Sequence, residues 1–506
     1  MIRAWASTAR AWALTARAGA AARAEAGAVA GATAACLLLA ACGGSDRSPL
    51  GISIIDPALT SNLDAAQLAP AAQYLRAATS QGLVRLDALG NIVPALAERW
   101  IVTEDGLSYI FRLRNARWEN GDTVTAEHVA SALRKRLSIE ARSAIGADTA
   151  EVRDIRGMTG RVVEIRLLAP QPDLLRILAL PELGIRRNGR GTGPLVADRQ
   201  QYWTVLTERV DDNIDPQLRR PVRPLQVRVE GAARAVARFT MRETAIVLGG
   251  RFEHLPYLSA ASVPDNTVRA DPVIGLFGLV VVNGSGFLAK PANREAIAMT
   301  IDREDLMTPL GISEWQTMTR LVPLGLERYT PLVGERWSDL SLRLRREQAR
   351  GRVVRWRQEN DDTPVLRIAM PEGPGSRLLF DRLQRDLAAI GLESRQVAID
   401  QQADLKLIDE VARYRQPAWF LDQLACSVRR LCDENGDVLL AQARRAVDPQ
   451  VRASKMAEAE LSMTNANIFI PLGMPVRFSL VRGNIPGFAI TADGWHALPD
   501  MVVIPR

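Results

Sequence analysis

Predicted strands alternate with predicted helices along most of the chain, and this alternation constrains the fold more than any single motif. Apolar residues recur at every second position in Tyr109–Leu113, which predicts a strand, and Leu276–Val282 is a continuous apolar run of the kind buried inside a sheet. Helical patterns separate such strands, as in Ser376–Ile390, which Gly391 would end as a C-terminal cap. The sequence therefore predicts an α/β fold.

The remaining elements follow the same patterns. Strands are predicted at Val162–Leu168, Leu225–Val229, Ala245–Leu248, Val365–Met370, Leu405–Ile408 and Ile468–Leu472, and helices at Leu68–Gln81, Ala126–Leu137, Pro172–Leu180, Asn293–Ile301, Gly436–Ala446 and Gln450–Thr464. We interpret Ile52–Leu63 as a loop because it contains Asp56-Pro57, Pro94 as the start of a short helix, and Asp302–Leu306 as helical.

Length and composition bound the architecture. The chain has 506 residues, more than the ~250–300 at which a single hydrophobic core stops growing, so two or three lobes are expected. The apolar fraction of 47% and the charged fraction of 24% are ordinary for a globular protein. After Cys42, no segment free of charge reaches the ~20 apolar residues of a membrane-spanning helix.

The N-terminal leader carries a processing motif. Leu39-Ala40-Ala41 precedes Cys42 at the end of an Ala- and Leu-rich run, which is the pattern of a bacterial lipoprotein signal. The alternative is a short apolar helix or membrane anchor, but Ala26–Ala41 is too short to span a bilayer. We expect residues 1–41 to be a signal peptide, Cys42 to become a lipidated N-terminus, and the rest of the chain to lie outside the cytoplasm on a membrane surface.

Charge and cysteines add less. The net charge is +7, and basic residues are concentrated only in Arg343–Arg357. Such a run predicts either a solvated helical face or an anionic partner. It lacks the interleaved aromatic residues that are typical of nucleic-acid binding. Of four cysteines, Cys36 would leave with the leader and Cys42 would be lipidated. Cys426 and Cys432 stand six positions apart. On one helix they would point to different sides, so a disulfide between them requires a bend in the chain. Their pairing stays open.

Several motifs occur in a characteristic order. They are Gly82-Leu83-Val84, Pro94–Trp100, Thr103–Tyr109, Phe111–Arg114, Trp118–Asp122, Thr125–Val129, Gly191-Thr192-Gly193-Pro194, Asn283, Asn293–Ile297, Ile301-Asp302-Arg303, Ile390-Gly391-Leu392 and Ile468–Leu472. Each is weak alone, but together they resemble the family 5 extracellular solute-binding proteins of ABC importers, the oligopeptide- and dipeptide-binding group. The resemblance covers nearly the whole chain after the leader.

The resemblance implies a two-lobe periplasmic-binding-protein fold, type II, in its large peptide-binding variant. Lobe I would comprise residues 42–265 with an extra subdomain at about 66–180, lobe II residues 266–475, and residues 476–506 would return to lobe I through a crossing at Val481–Phe488. It further implies a monomer, in the periplasm or cell envelope, that captures a peptide-like or other small solute between its lobes. The solute would pass to an ABC permease with its ATPase subunits, and neither cofactor nor metal would be needed.

One departure from the family bears on the ligand. In the segment Val411–Leu421, Arg413 stands where peptide-binding relatives carry an aspartate that faces the ligand's α-ammonium group, and Gln416 replaces an acidic residue. An arginine would repel an ammonium group, so one interpretation is a preference for anionic ligands. The other is that Arg413 turns outward to Asp409 or Glu410. The resemblance also nominates Tyr414, Trp419 and Asn283 as ligand-binding residues.

Other functions find less support in the sequence. The three histidines, His128, His254 and His496, have no metal-type spacing with each other or with the cysteines, and there is no phosphate loop or nucleophile elbow. A hydrolase would need a nucleophile and base pair, which is missing. A sensory or chaperone-like lipoprotein with the same fold, working without a permease, remains the alternative.

Overall fold

The computed structural model describes residues 48–59, 62–65, 67–87, 90–140, 144–210, 217, 220–312, 315–326, 329–446 and 448–504. The predicted signal peptide and the lipidation site at Cys42 lie outside these residues. In the described part of the chain, no helix combines the length and apolar composition needed to cross a membrane.

The elements alternate as the sequence predicts. The strands are β1 Leu50–Ile55, β2 Val84–Leu86, β3 Ile92–Pro94, β4 Ala97–Val102, β5 Ser108–Leu113, β6 Val152–Met158, β7 Val162–Leu167, β8 Arg186–Arg187, β9 Arg190–Gly191, β10 Leu195–Arg199, β11 Thr204–Glu208, β12 Leu225–Glu230, β13 Ile246–Arg251, β14 Val268–Ala270, β15 Gly275–Val281, β16 Val365–Met370, β17 Glu393–Ala398, β18 Leu405–Val411, β19 Phe469–Gly473 and β20 Arg477–Val481. The α-helices are α1 Pro70–Thr79, α2 Ala126–Glu140, α3 Ala144–Asp148, α4 Leu174–Leu178, α5 Ala232–Thr240, α6 Leu255–Ala260, α7 Pro291–Thr300, α8 Leu342–Asn360, α9 Pro374–Ala388, α10 Pro417–Asp422, α11 Glu434–Arg445 and α12 Pro449–Ala466.

A seven-stranded sheet has the order β10-β11-β12-β1-β13-β20-β14. Its strand β1 pairs in parallel with β12 and β13, so the prediction of a loop at Ile52–Leu63 is wrong over the strand residues. The β-branched side chains of Ile52 and Ile54 are fully buried there, and Ser53 Oγ donates a 2.6 Å hydrogen bond to Glu230. Helix α1, predicted to belong to the extra subdomain, packs on this sheet.

A four-stranded antiparallel sheet has the order β4-β5-β7-β6. The β4–β5 hairpin turns at Asp105-Gly106, and Gly106 has φ +68°, which glycine adopts without strain. The helix predicted to start at Pro94 is wrong, because residues 97–102 pair with β5 as strand β4. The predicted helix after Thr125 is present as α2, and Thr125 Oγ1 accepts a 3.2 Å hydrogen bond from the backbone N–H of His128 at its N-terminus.

A five-stranded mixed sheet has the order β17-β16-β18-β15-β19. Every residue of β15 is buried, as its apolar run predicts. Phe277, Leu279 and Val281 pack with α7, α8 and α9, whereas Leu276 and Val280 belong to a cluster that includes α10–α12 and also the core of the four-stranded sheet. The predicted helix at Asp302–Leu306 is wrong: α7 ends at Thr300, and buried Arg303 donates back to the carbonyl of Ala298.

Two short connections join the seven-stranded and five-stranded sheets, and we call them the hinge segments. They are residues 271–274, between β14 and β15, and residues 474–476, between β19 and β20. The predicted return crossing at Val481–Phe488 is therefore too late, because Val481 already pairs with Ile246 inside the seven-stranded sheet. The lobe boundaries at 265 and 475 stay predictions.

Candidate functional site

Three of the predicted ligand-binding residues lie together just after β18. The strand ends at Val411, and Pro417 occupies the first turn of α10, where its missing N–H leaves no hydrogen bond unmade. Tyr414 and Trp419 are buried on either side of this helix start. The guanidinium carbon of Arg413 lies 5.8 Å from the centre of the Trp419 indole, within the range of a cation–π contact.

Arg413 pairs with a carboxylate that the sequence analysis did not identify. Its Nε and Nη2 donate to Asp148 Oδ2 over 2.8 and 2.5 Å, and the Tyr414 hydroxyl donates to Asp148 Oδ1 over 3.0 Å. Asp148 ends helix α3 and its side chain is 0% exposed. The interpretation that Arg413 turns outward to Asp409 or Glu410 is therefore wrong, because its charge is paired inside the protein with Asp148. The preference for anionic ligands stays a prediction.

Further charged groups surround this pair. Asp422, at the end of α10, pairs with Arg444. Burial, with an additional contribution from Asp148, raises the pKa of Asp422 to about 6, although Arg444 opposes the shift. Burial also raises the pKa of the Tyr414 hydroxyl well above its usual value, so Tyr414 is a hydrogen-bond donor throughout the physiological range.

The Trp419 indole has a donor that the described residues leave unused. Its ring is fully buried and packs edge-on against Phe420. Its Nε1–H is also buried and has no hydrogen-bond partner among the described residues. A buried donor without an acceptor is costly, which makes this atom notable beside a cluster of polar groups.

Asn283 is not part of this cluster. Strands β15 and β18 are antiparallel, with Gly275 opposite Val411 and Val281 opposite Leu405. Arg413 therefore follows one end of the strand pair and Asn283 the other, roughly 20 Å away at ~3.4 Å per residue. Asn283 instead donates to Asp404 over 2.9 Å. One small ligand cannot contact both ends.

A second charged cluster lies between the two large sheets near the hinge segments. Asp409 of β18 accepts a 2.7 Å hydrogen bond from Arg477 of β20, and Arg251 at the end of β13 lies 3.8 Å from its other oxygen. Glu253 is buried beside them, and burial together with Asp409 raises its pKa to about 7. Nothing in the spacing of these residues indicates that they meet, because β13, β18 and β20 come from distant parts of the chain.

The cysteines and histidines that the sequence singles out make structural contacts. Cys426 and Cys432 form a disulfide with Cα atoms 5.0 Å apart, in the turn between α10 and α11 that supplies the required bend. His128, His254 and His496 lie in separate places, bonded to Trp118, the Arg251 backbone and Asp271 respectively. Among the residues that the structure describes, no group of three or more His, Cys, Asp or Glu side chains is arranged to hold a metal ion.

The basic run Arg343–Arg357 lies on α8, where most of its arginines hold the helix to α7 and to the turn after α9. Backbone carbonyls accept from four of them: Thr300 from Arg346, Ala389 from Arg350, Ala292 from Arg352 and Gly391 from Arg357. Arg343 is exposed and pairs with Glu347 one turn away. The run therefore serves largely to fix α8, a role that neither sequence interpretation anticipated.

Comparison with solved structures places the fold. The *Escherichia coli* murein tripeptide-binding protein MppA superposes with a TM-score of 0.78 at 17% identity, covering 91% of this chain and 99% of that one. An unliganded open form of the periplasmic murein tripeptide-binding protein MppA gives a TM-score of 0.65 at 17% identity, covering 91% and 98% of the two chains. These similarities confirm the predicted α/β fold of the periplasmic binding proteins.

Sequence comparison gives the family. The dipeptide-binding protein DppE of *Bacillus subtilis* (strain 168) is 32% identical over 117 residues, which are 20% of this chain and 22% of that protein. The chain thus spans about a fifth of the length of this curated relative. Residues 91–416 match the family described as bacterial extracellular solute-binding proteins, family 5 Middle, a family of binding proteins and not of enzymes. The chain therefore belongs to the bacterial extracellular solute-binding proteins of family 5.

Proposed function

We propose that this protein is the lipid-anchored substrate-binding component of an ABC importer, capturing a peptide-like solute between two lobes and delivering it to a membrane permease. The observation that carries the proposal is the family match at residues 91–416, which covers strands β10–β14 of the seven-stranded sheet, strands β15–β18 of the five-stranded sheet and one hinge segment. The names of the relatives point to peptides, since one is a dipeptide-binding and one a murein tripeptide-binding protein.

Closure of the lobes would be the working step. In the described part of the chain the two large sheets are joined by the two short hinge segments, and they can rotate about these with few backbone changes. Rotation about the hinge segments would bring the two lobes together around a solute in a closed form. A ligand that contacts both lobes stabilises this closed form, and the permease can then distinguish loaded from empty protein.

The lobes and the anchor complete the proposal. Residues 42–265 would form lobe I, with residues 476–506 returning to it, and residues 266–475 lobe II. Lipid on Cys42 would hold a monomer at the outer face of a membrane in the cell envelope, beside the permease and its ATPase subunits. Replacing Cys42 by Ala should then abolish fatty-acid labelling and release the protein from membranes; equal labelling of both proteins would contradict the anchor.

Ligand capture is tested on protein purified without denaturation. Native mass spectrometry should detect a copurified solute, and unfolding and refolding should remove it. Adding the identified solute back should reduce the radius of gyration in small-angle scattering and raise the stability, by about 2.7 kcal/mol at a hundred times the dissociation constant. Binding without compaction would contradict lobe closure, and the absence of any bound solute from peptide libraries and copurified material would contradict the binding function.

A further inference from the structure

The surroundings of Asp148 are those of a bound carboxylate. Both of its oxygens accept hydrogen bonds, Oδ2 from Arg413 and Oδ1 from Tyr414. Two donors on an arginine converging on a carboxylate form one of the stronger polar contacts in proteins. The donors all lie on the segment between β18 and α10, whereas Asp148 is supplied by a helix 265 residues earlier in the chain.

The donor set is larger than Asp148 uses. The Trp419 indole faces Arg413 at 5.8 Å, and its buried Nε1–H is unpartnered within the described residues. Asp422, another buried acid of the cluster, pairs with Arg444. Arg413, Tyr414 and Trp419 thus present a positive charge, a hydroxyl and an indole N–H, and the indole N–H has no acceptor among the described residues.

We propose that Arg413, Tyr414 and Trp419 form a carboxylate-binding subsite of the ligand cleft, and that Asp148 occupies this subsite when no ligand is bound. A ligand that carries a carboxylate replaces Asp148 there, and its second oxygen or a neighbouring carbonyl accepts from Trp419. The inference rests on the proposed function, because it names the ligand class of that cleft. It also requires that Asp148 competes with the ligand instead of contacting it.

Asp148→Asn separates competition from structural support. The amide keeps the size of the side chain but removes the negative charge that pairs with Arg413, so a ligand carboxylate no longer competes with an anion at that position. The probe is N-acetyl-trialanine as its free acid and as its C-terminal amide, since acetylation removes the ammonium group and the two forms then differ in one charge. Asp173→Asn is the matched control, because Asp173 is a half-buried acid near Asp148 without a hydrogen bond to Arg413.

Titration calorimetry and thermal unfolding are measured on the full processed chain. We expect Asp148→Asn to bind the free acid about tenfold to a hundredfold more tightly than the natural protein does, with the amide unchanged and Asp173→Asn without effect. A second variant, Tyr414→Phe, removes one donor and should reduce the preference for the acid over the amide severalfold, which keeps the test decisive if Asp148→Asn does not fold.

The opposite results are equally clear. Equal binding of acid and amide, or weaker acid binding by Asp148→Asn, overturns the carboxylate subsite while leaving the solute-binding function intact. If neither form binds any variant, other acid and amide peptide pairs from the library that identifies the solute are compared in the same way, and the absence of an acid preference across them overturns the inference. Failure of the whole library and of copurified material to show any ligand is the separate result that contradicts the proposed function.

Discussion

Glu253 gives the most direct electrostatic prediction, because its carboxylate is buried beside the hinge segments. It follows β13 and packs against Gly373 and Gly375, where a Cβ added to Gly375 would lie 2.7 Å from the Glu253 Cα. Its Oε2 is buried and has no hydrogen-bond partner in the described part of the chain. Burial first, and the negative charge of Asp409 second, raise its pKa from 4.5 to about 7.

The sign of the pH dependence follows from this shift. A carboxyl group whose pKa is higher in the folded protein contributes stability below its unfolded pKa of 4.5 and loses it as the pH rises through 7. The difference of 7 − 4.5, about 2.5 units, corresponds to roughly 3 kcal/mol at ~1.36 kcal/mol per unit, an upper bound because Glu253 and Asp409 interact. Glu253→Gln removes the ionisation. The change in the free energy of unfolding that it causes, variant minus natural protein, should therefore be about 1–3 kcal/mol more favourable at pH 8 than at pH 5.

The assay is urea unfolding followed by tryptophan fluorescence at pH 5 and pH 8, each variant compared with the natural protein at the same pH. Glu98→Gln is the control, since Glu98 is an exposed carboxylate paired with Arg112. The neighbouring His254 cannot cause the same pH dependence. Burial lowers its pKa to about 4, so its contribution to stability is lost as the pH falls, whereas that of Glu253 is lost as the pH rises. A Glu253→Gln effect that is the same at both pH values, or larger at pH 5, would refute the argument.

Three further predictions concern packing, a buried ion pair and the cysteines. Gly193→Ala should lower the melting temperature by several degrees because its Cβ would fall 2.2 Å from the Thr79 carbonyl carbon, whereas Gly231→Ala, with open space and φ −69°, should change it little; equal effects would contradict the steric explanation. Glu460→Gln should destabilise the protein by about 3–5 kcal/mol in urea unfolding, because it leaves the buried guanidinium of Arg320 without its carboxylate; a change below 1 kcal/mol would show that the pair contributes little. Unreduced, unfolded protein from an oxidising compartment should give no free thiols from Cys426 and Cys432, and two titratable thiols would exclude the bond.

Most of the fold could be predicted where the local pattern and the tertiary environment agree. The strand at Val365–Met370 has the predicted bounds, and the helix ended by Gly391 is present with that glycine at φ +88°. The failures are segments whose structure depends on distant partners. Ala97–Val102 follows a helix-like Pro-Ala-Leu-Ala sequence, yet pairing with β5 outweighs that local preference.

The site was predictable only in part, for the same reason. Arg413 could be singled out because it departs from a family pattern, and Tyr414 and Trp419 follow it directly in the chain. Asp148 could not, since Ala-Ile-Gly-Ala-Asp in α3 has no motif or periodicity that indicates a partner 265 residues away. The hinge cluster of Arg251, Asp409 and Arg477 was missed likewise, because three strands distant in sequence must assemble before these charges meet.

The buried arginines of this chain differ in the groups that accept their hydrogen bonds: Arg320 donates to the side chain of Glu460, whereas others donate mainly to the backbone. Arg76, Arg294 and Arg303 are buried and donate to backbone carbonyls, including those of Gly184, Ala466 and Pro471. Burial lowers the pKa of Arg76 to about 10 and that of Arg303 to about 9, because removing a charged guanidinium from water is unfavourable. The hydrogen bonds to backbone carbonyls offset this desolvation.

A carbonyl belongs to the backbone and cannot leave without unfolding the segment that carries it. Arg413, like Arg320, donates to a side-chain carboxylate, that of Asp148. In the proposed exchange Asp148 would rotate away while α3 keeps its place, so a ligand carboxylate could replace it without disturbing a strand or a helix. In the carboxylate subsite proposed above, an exchangeable side-chain partner would let the positive charge of Arg413 select a ligand, which the arginines fixed to carbonyls could not do.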